Sequence, residues 1–469
     1  MYYEKYLSLL PSSSGWASDE DLLKTPGCLR GFWDRPHGEG GVLIASHDGQ
    51  ALVDGGDECR HVLVIGATGT GKTRLIIIPS LLYSLSAGNR RSFVIFDVKG
   101  ELEPETADLA RRKGYRICRI DFRDPEKGDS WNPFHKINRL WHQDEKAKNK
   151  AWKLLEDLIA TVFNDGGSKT TDPFWRNISS SLFRGICSAL WESGKDLTLP
   201  WILKMANSIP ADRDDDSDSL LFRCARGLPD SSVACRSLEG FHNASNITRG
   251  NILTTFNTYI SHFTSRDDII RMMSSPSCVD FRGIGTAPTV MYISLPDDSV
   301  ALGPLQGMLL TQMMQDLNDC AAANGGRLPV RTEIFLDEFC NIHPAIPSME
   351  TALTISRSRG IRYVLAVQSY SQLVGVYGNA AETIAANCST WIALNISKDE
   401  TFREKLSALC GRNPLGEALI TPSQLALLRY EEGIVIRDRA APYCARFEDL
   451  SAVKRRINGK GPAAAAPSP

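Results

Sequence analysis

Residues 61–73 read HVLVIGATGTGKT, a short apolar run, a glycine-rich turn and the opening of a helical pattern that continues to Leu85. No other stretch restricts the fold as strongly. Gly66, Ala67, Thr68, Gly69, Thr70, Gly71, Lys72 and Thr73 satisfy G-x-x-x-x-G-K-[ST], a string that arises by chance in about one chain of this length in fifty. The chemistry that needs this spacing is phosphate binding. The glycines let backbone N–H groups curl around a β-phosphate, and the helix N-terminus adds a favourable dipole. The Lys72 ammonium neutralises β/γ oxygens, and the Thr73 hydroxyl ligates Mg²⁺. ATP and Mg²⁺ are therefore the expected cofactors, against the competing reading of a purely structural turn.

The surrounding pattern is α/β. VLIAS and ALVDG read as a hairpin, and HVLVIG (61–66), RSFVIFD (91–97) and YRICRID (115–121) as strands separated by helical stretches. From Asn138 to Arg271 apolar residues recur at three- and four-residue spacing, as in EKAKNKAWKLLEDLIATVF, which predicts helices. Strand-like runs resume at TVMYISL (289–295), TEIFLDE (332–338), RYVLAVQ (362–368), TWIALNI (390–396) and EGIVIRD (432–438). A helical block flanked by α/β sequence predicts an all-α domain (138–271) inserted into one nucleotide-binding sheet domain (41–137 and 272–450). Residues 1–40 are expected to be a leader that lies over the surface or awaits a partner, and 451–469 to form a flexible tail.

A phosphate-binding loop needs an acidic partner at the tip of a neighbouring strand, and two candidates compete. Asp97 ends FVIFD, and Asp337-Glu338 end EIFLDE. Hydrolysis asks for one carboxylate near the metal and another to orient or deprotonate water, so Asp337 is assigned to Mg²⁺ and Glu338 to the base. Asp97 reads equally as a strand-end carboxylate satisfied by loop N–H groups. Gln368 closes another strand, where its amide could report a γ-phosphate.

Composition bounds the rest. At 42% hydrophobic and 23% charged residues the 469-residue chain has globular composition, which excludes disorder for most of its length. Lys+Arg 53 against Asp+Glu 55 gives a net charge of -2, so a polyanion would have to be met by a local basic surface rather than by bulk charge. RRKGYR (111–116), SRSRGIR (356–362) and KRR (454–456) are the candidate runs, each also readable as a solvated face. ADRDDDSD (211–218) reads as a solvated acidic turn. The longest apolar run, Leu75 to Leu85, is too short to span a bilayer, and MYYEKYLSLLPSSSG lacks the features of a secretory signal. The expected location is the cytoplasm, or the cytoplasmic face of the inner membrane through partners. Twelve cysteines occur with no C-x-x-C pair and are expected to be reduced and mostly buried.

Several strings then agree in order and spacing: HVLVIGATGTGKT, FDVKGEL, WNPF (131–134), DPFWRNIS (172–179), FLDEF (335–339), AVQSYSQLVGVYG (366–378) and TIAANCST (383–390). Together they resemble the TraG/VirD4 coupling proteins of conjugation and type IV secretion. The resemblance implies a RecA-like P-loop domain with an inserted all-α domain and an ATP-driven homo-hexamer. It further implies delivery of relaxase-bound single-stranded DNA or secreted proteins to the secretion channel. It also implies an arginine supplied by a neighbouring subunit, matched here by Arg60 or Arg357, with Arg359 competing for the second place. Members usually carry N-terminal transmembrane helices, and this sequence shows none: the anchor is absent by nature, separated from this chain, or replaced by a partner. Two other functions share the motifs, a HerA/FtsK-like DNA pump unconnected with secretion and a substrate-receptor adaptor with little turnover.

Overall fold

The computed structural model describes residues 15–56, 60–163, 172–212, 216, 219–264, 266–295, 302–342, 345–346 and 349–459. The start of the leader, most of the acidic run 211–218 and the tail beyond 459 lie outside the described residues.

Continuous apolar runs such as VLVI and YVLAV suit strands covered on both faces, the environment of a parallel sheet. They build a nine-stranded sheet of β4 (His61–Ile65), β5 (Ser92–Asp97), β6 (Arg116–Asp121), β7 (Thr289–Ser294), β8 (Thr332–Leu336), β9 (Ile361–Val367), β10 (Cys388–Ala393), β11 (Glu432–Arg437) and β12 (Tyr443–Arg446). The order across the sheet is β12-β11-β10-β4-β9-β8-β5-β7-β6. Strands β10 through β6 run parallel, and β11 and β12 add an antiparallel edge. A smaller antiparallel sheet joins β1 (Cys28–Phe32), β2 (Val42–His47) and β3 (Gln50–Asp54) in the order β1-β3-β2.

Strand periodicity divides the core in two. Leu63, Ile65, Val94 and Phe96 face one cluster, shared with Leu155, Leu182 and Phe256 of the helices between β6 and β7. Val62, Val64, Phe93 and Ile95 face the other, shared with Val42, Leu43 and Val53 of the small sheet. The helices between β6 and β7 therefore lie on one face of the large sheet, and the small sheet lies on the other together with the helices 72–86, Leu102–Arg112 and Leu450–Ile457. In the helical block Asp172 accepts from the Phe174 N–H as an N-cap, with Pro173 at the first helical position, which starts the helix Pro173–Glu192 at DPFWRNIS. Trp191 stacks on Trp141 with ring centroids 4.2 Å apart and meets Trp152 edge-on.

Part of the expected leader and the start of the expected flexible tail are built into the fold. Cys28–Phe32 pairs with Gln50–Asp54, and Trp33 is buried with its Nε1 donating to Glu448 Oε2 at 2.6 Å. At the other end Asp449 caps the helix Leu450–Ile457, which buries Leu450 and Val453 in the second cluster. Both are held by partners distant in sequence. The eleven described cysteines are free thiols, and burial pushes the Cys28 thiol up to about 11.

Candidate active site

Strand β4 delivers the chain into the loop 66–71, and the helix beyond begins as a π-helical segment, Lys72–Ile77, before continuing as Ile78–Ser86. The loop is anchored to its neighbours by Gly66 N–H donating to Val367 O at 3.1 Å and Ala67 N–H to Asn395 O at 3.4 Å. Gly71 is irreplaceable on two counts. Its φ of +94° lies in the left-handed region, and a Cβ would come within 2.6 Å of Leu75 Cδ1. The Lys72 ammonium folds back onto its own loop, donating to Gly66 O at 2.6 Å and Ala67 O at 3.5 Å. Burial pulls its pKa below the ordinary lysine value, while Glu338 and Asp337 oppose that shift.

Opposite the loop, Thr73 Oγ1 donates to Asp337 Oδ2 at 3.3 Å. Asp337 is only 1% exposed, and its Oδ1 is buried with no hydrogen-bond partner among the described residues. An acceptor left over beside a threonine hydroxyl fits a divalent cation, which would take oxygen ligands of this kind. Burial, then the neighbouring Glu338, pushes the Asp337 carboxyl up to about 6 against the pull of Lys72, Lys99 and Thr73.

The acidic pair does not stand on the strand beside β4, as the sequence suggests. Strand β9 lies between β4 and β8, registering Val62 with Val364 on one side and Phe335 with Val364 on the other. Its end places Gln368 in the gap, where Nε2 donates to Glu338 Oε2 at 2.9 Å. Glu338 is 3% exposed and has φ +55°, a left-handed backbone unusual outside glycine. Loop residue, candidate metal-site carboxylate, candidate base and amide thus converge at the carboxyl ends of three adjacent strands.

The other candidates separate. Asp97 accepts from the N–H groups of Glu101, Leu102 and Glu103 at 2.9–3.1 Å, satisfying the start of the helix Leu102–Arg112, and makes no bond to the loop 66–71. Arg60 and Arg357 lie before the starts of β4 and β9, at the opposite end of the sheet. Five strand residues span about 16 Å, so neither can serve this chain's own loop. Arg60 is 4% exposed, Arg357 is exposed, and His61 Nε2 bonds to Leu353 O at 2.7 Å beside them. Within the basic runs, Arg111 pairs with Asp108, Lys454 with Glu105, and buried Arg362 with Glu333.

One part of the site escapes the sequence reading. An open pocket of about 610 Å³ extends from Ala67–Thr70 past Ser369 to Asn395, Ser397, Lys398 and Tyr430. Asn395 follows a strand end and obeys the rule that exposes Gln368. Tyr430 precedes β11 with no local signal.

A parallel sheet with this strand order, a glycine-rich loop of the phosphate-binding pattern after β4 and helices on both faces define a RecA-like P-loop protein with an added helical domain. The family model described as Type IV secretory system Conjugative DNA transfer matches residues 18–418, and the chain belongs to that family. It is 23% identical over 401 residues to Protein VirD4 of Agrobacterium fabrum, covering 84% of this chain and 55% of that one. It is 24% identical over 365 residues to Protein VirD4 of Rhizobium radiobacter, covering 75% and 48%. The chain therefore spans about half the length of these curated relatives. Among solved structures, the unbound bacterial conjugative coupling protein TrwBdeltaN70 superposes with TM-score 0.62 at 20% identity, covering 86% of this chain and 89% of that one. TrwB in complex with the ATP analogue ADPNP superposes with TM-score 0.60 at 20% identity, covering 84% and 86%. No helix among the described residues is long and apolar enough to cross a membrane.

Proposed function

We propose that the protein is an ATP-driven coupling protein that recruits DNA, relaxase-bound DNA or protein substrates and delivers them to a type IV secretion channel. The observation that carries this reading is the convergence of Lys72, Thr73, Asp337, Glu338 and Gln368 at adjacent strand ends in a chain of the conjugative DNA transfer family. Structural neighbours described as TrwB with the ATP analogue ADPNP and as TrwB with ADP and Mg²⁺ support ATP and Mg²⁺ as the ligands.

In this reading Lys72 and the loop N–H groups hold the phosphates, and Thr73 and Asp337 hold Mg²⁺. When bound, Mg²⁺ supplies charge neutralisation at the β- and γ-oxygens. Glu338 accepts the proton of the attacking water, and Gln368 positions that carboxylate through its amide. The wall formed by Asn395, Lys398 and Tyr430 flanks the loop on the side away from β9 and offers a seat for the nucleoside. Because Arg60 and Arg357 lie at the far end of the sheet, either reaches the phosphates only from a second copy, as in a ring of six; Arg357, being exposed, is the better donor. Partners would bring such a ring to the cytoplasmic face of the inner membrane.

The test is steady-state ATP hydrolysis with no nucleic acid, single-stranded DNA and duplex DNA, beside native mass analysis. DNA-stimulated turnover by a ring is expected. ATP and cargo binding without any DNA response would favour a nucleotide-regulated adaptor.

A further inference from the structure

Glu338 makes a contact that the roles above leave unused. Lys99 Nζ lies 3.3 Å from Glu338 Oε1, while Gln368 Nε2 lies 2.9 Å from Oε2, so both carboxylate oxygens are engaged at once. Lys99 is 38% exposed at the mouth of the site, and Glu338 is almost wholly buried behind it.

The loop that carries Lys99 is braced at both ends. Asp97, before it, is tied down by the N–H groups of Glu101, Leu102 and Glu103. The Arg123 guanidinium donates to the carbonyls of Val98 and Leu295. The buried carboxylate at the end of β5 thus frames the loop that presents an ammonium to the end of β8. Burial works against the charge on Lys99, but Glu338 outweighs it and raises the lysine pKa, with Asp337 adding to the effect.

A carboxylate that accepts from an ammonium and an amide together has both oxygens engaged, so neither is free to accept a hydrogen bond from an attacking water. Base action on water requires one oxygen to be released. Gln368 is neutral and fixed at a strand end. Lys99 is a partly exposed cation that an arriving anion can draw away.

We propose that Lys99 is a positioning residue that restrains the base: it holds Glu338 Oε1, and the terminal phosphate of a bound nucleoside triphosphate loosens that hold only in part by competing for the ammonium, so the restraint still slows the bound complex. This inference rests on the ATPase reading of the site.

ATP hydrolysis without DNA is compared for the wild type, Lys99→Met, Lys99→Arg and Lys72→Ala. Lys99→Met should raise kcat roughly fivefold with KM unchanged, the scale of a partly exposed ion pair. Lys99→Arg, which keeps charge and reach, should return the rate toward wild type. An unchanged or lowered kcat in Lys99→Met, or an effect confined to KM, overturns the proposal. Lys72→Ala separates the two readings: hydrolysis at the wild-type rate there defeats the ATPase assignment instead. A second measurement needs no turnover. A double-mutant cycle of Lys99→Met and Glu338→Gln on denaturant stability is run without nucleotide and with a non-hydrolysable ATP analogue and Mg²⁺. Coupling in the nucleotide-free protein that shrinks with the analogue supports the restraint. No coupling without nucleotide, or coupling undiminished by the analogue, overturns it.

Discussion

Burying a carboxylate with one oxygen unsatisfied makes its proton count depend on folding, and Asp337 is in that position. Its carboxyl is raised from the ordinary 3.8 to about 6. Between those values the folded protein holds the proton while the unfolded chain releases it, so stability should fall as pH rises from about 4 to about 6, by up to ~3 kcal/mol. Asp337→Asn should flatten that slope in denaturant titrations, and equal slopes in the two proteins would refute it. Mg²⁺ should bind more tightly above about pH 6, where the carboxylate is ionised. At this scale the loop 66–73, Asp337, Glu338 and Gln368 were legible in the sequence, because each sits within or just beyond a recognisable strand. Lys99 and Tyr430 were not, since what they do depends on neighbours from other strands.

At the scale of elements, strands β4 to β11 follow from continuous apolar runs, and the block between β6 and β7 from helical spacing. Their order across the sheet does not follow, because β9 comes after β8 in the chain yet lies between β8 and β4. That insertion brings Gln368 to Glu338, and its own packing depends on buried side chains such as Leu365. Leu365→Ala should cost about 2–5 kcal/mol of stability in chemical denaturation. A loss well below that range would mean β9 is not locked between its neighbours. The strand at Cys28–Phe32 and the helix at Leu450–Ile457 stayed hidden for a different reason. Leu29 faces Val53 in the ladder and Lys454 meets Glu105, contacts that no short window of sequence contains.

At the scale of the whole molecule, the net charge of -2 is compatible with a DNA partner only if positive potential is gathered along one surface. The proposed ring would offer such a surface, and it would also give a role to arginines placed at the end of the sheet away from their own loop. If Arg357 acts in a neighbour, Arg357→Ala and Lys72→Ala should each be inactive alone and partly active when mixed. Random assembly of equal amounts leaves about a quarter of interfaces with an intact loop facing an intact arginine. Absence of any recovery would leave the arginine without a role in the neighbouring site.

The central claim is that the loop after β4 and the acidic pair after β8 form one ATP-hydrolysing centre. Steady-state ATP hydrolysis by the wild type, Lys72→Ala and Glu338→Gln tests it most directly. The account predicts that each substitution abolishes turnover while the variants remain folded. Full activity in Lys72→Ala would contradict it.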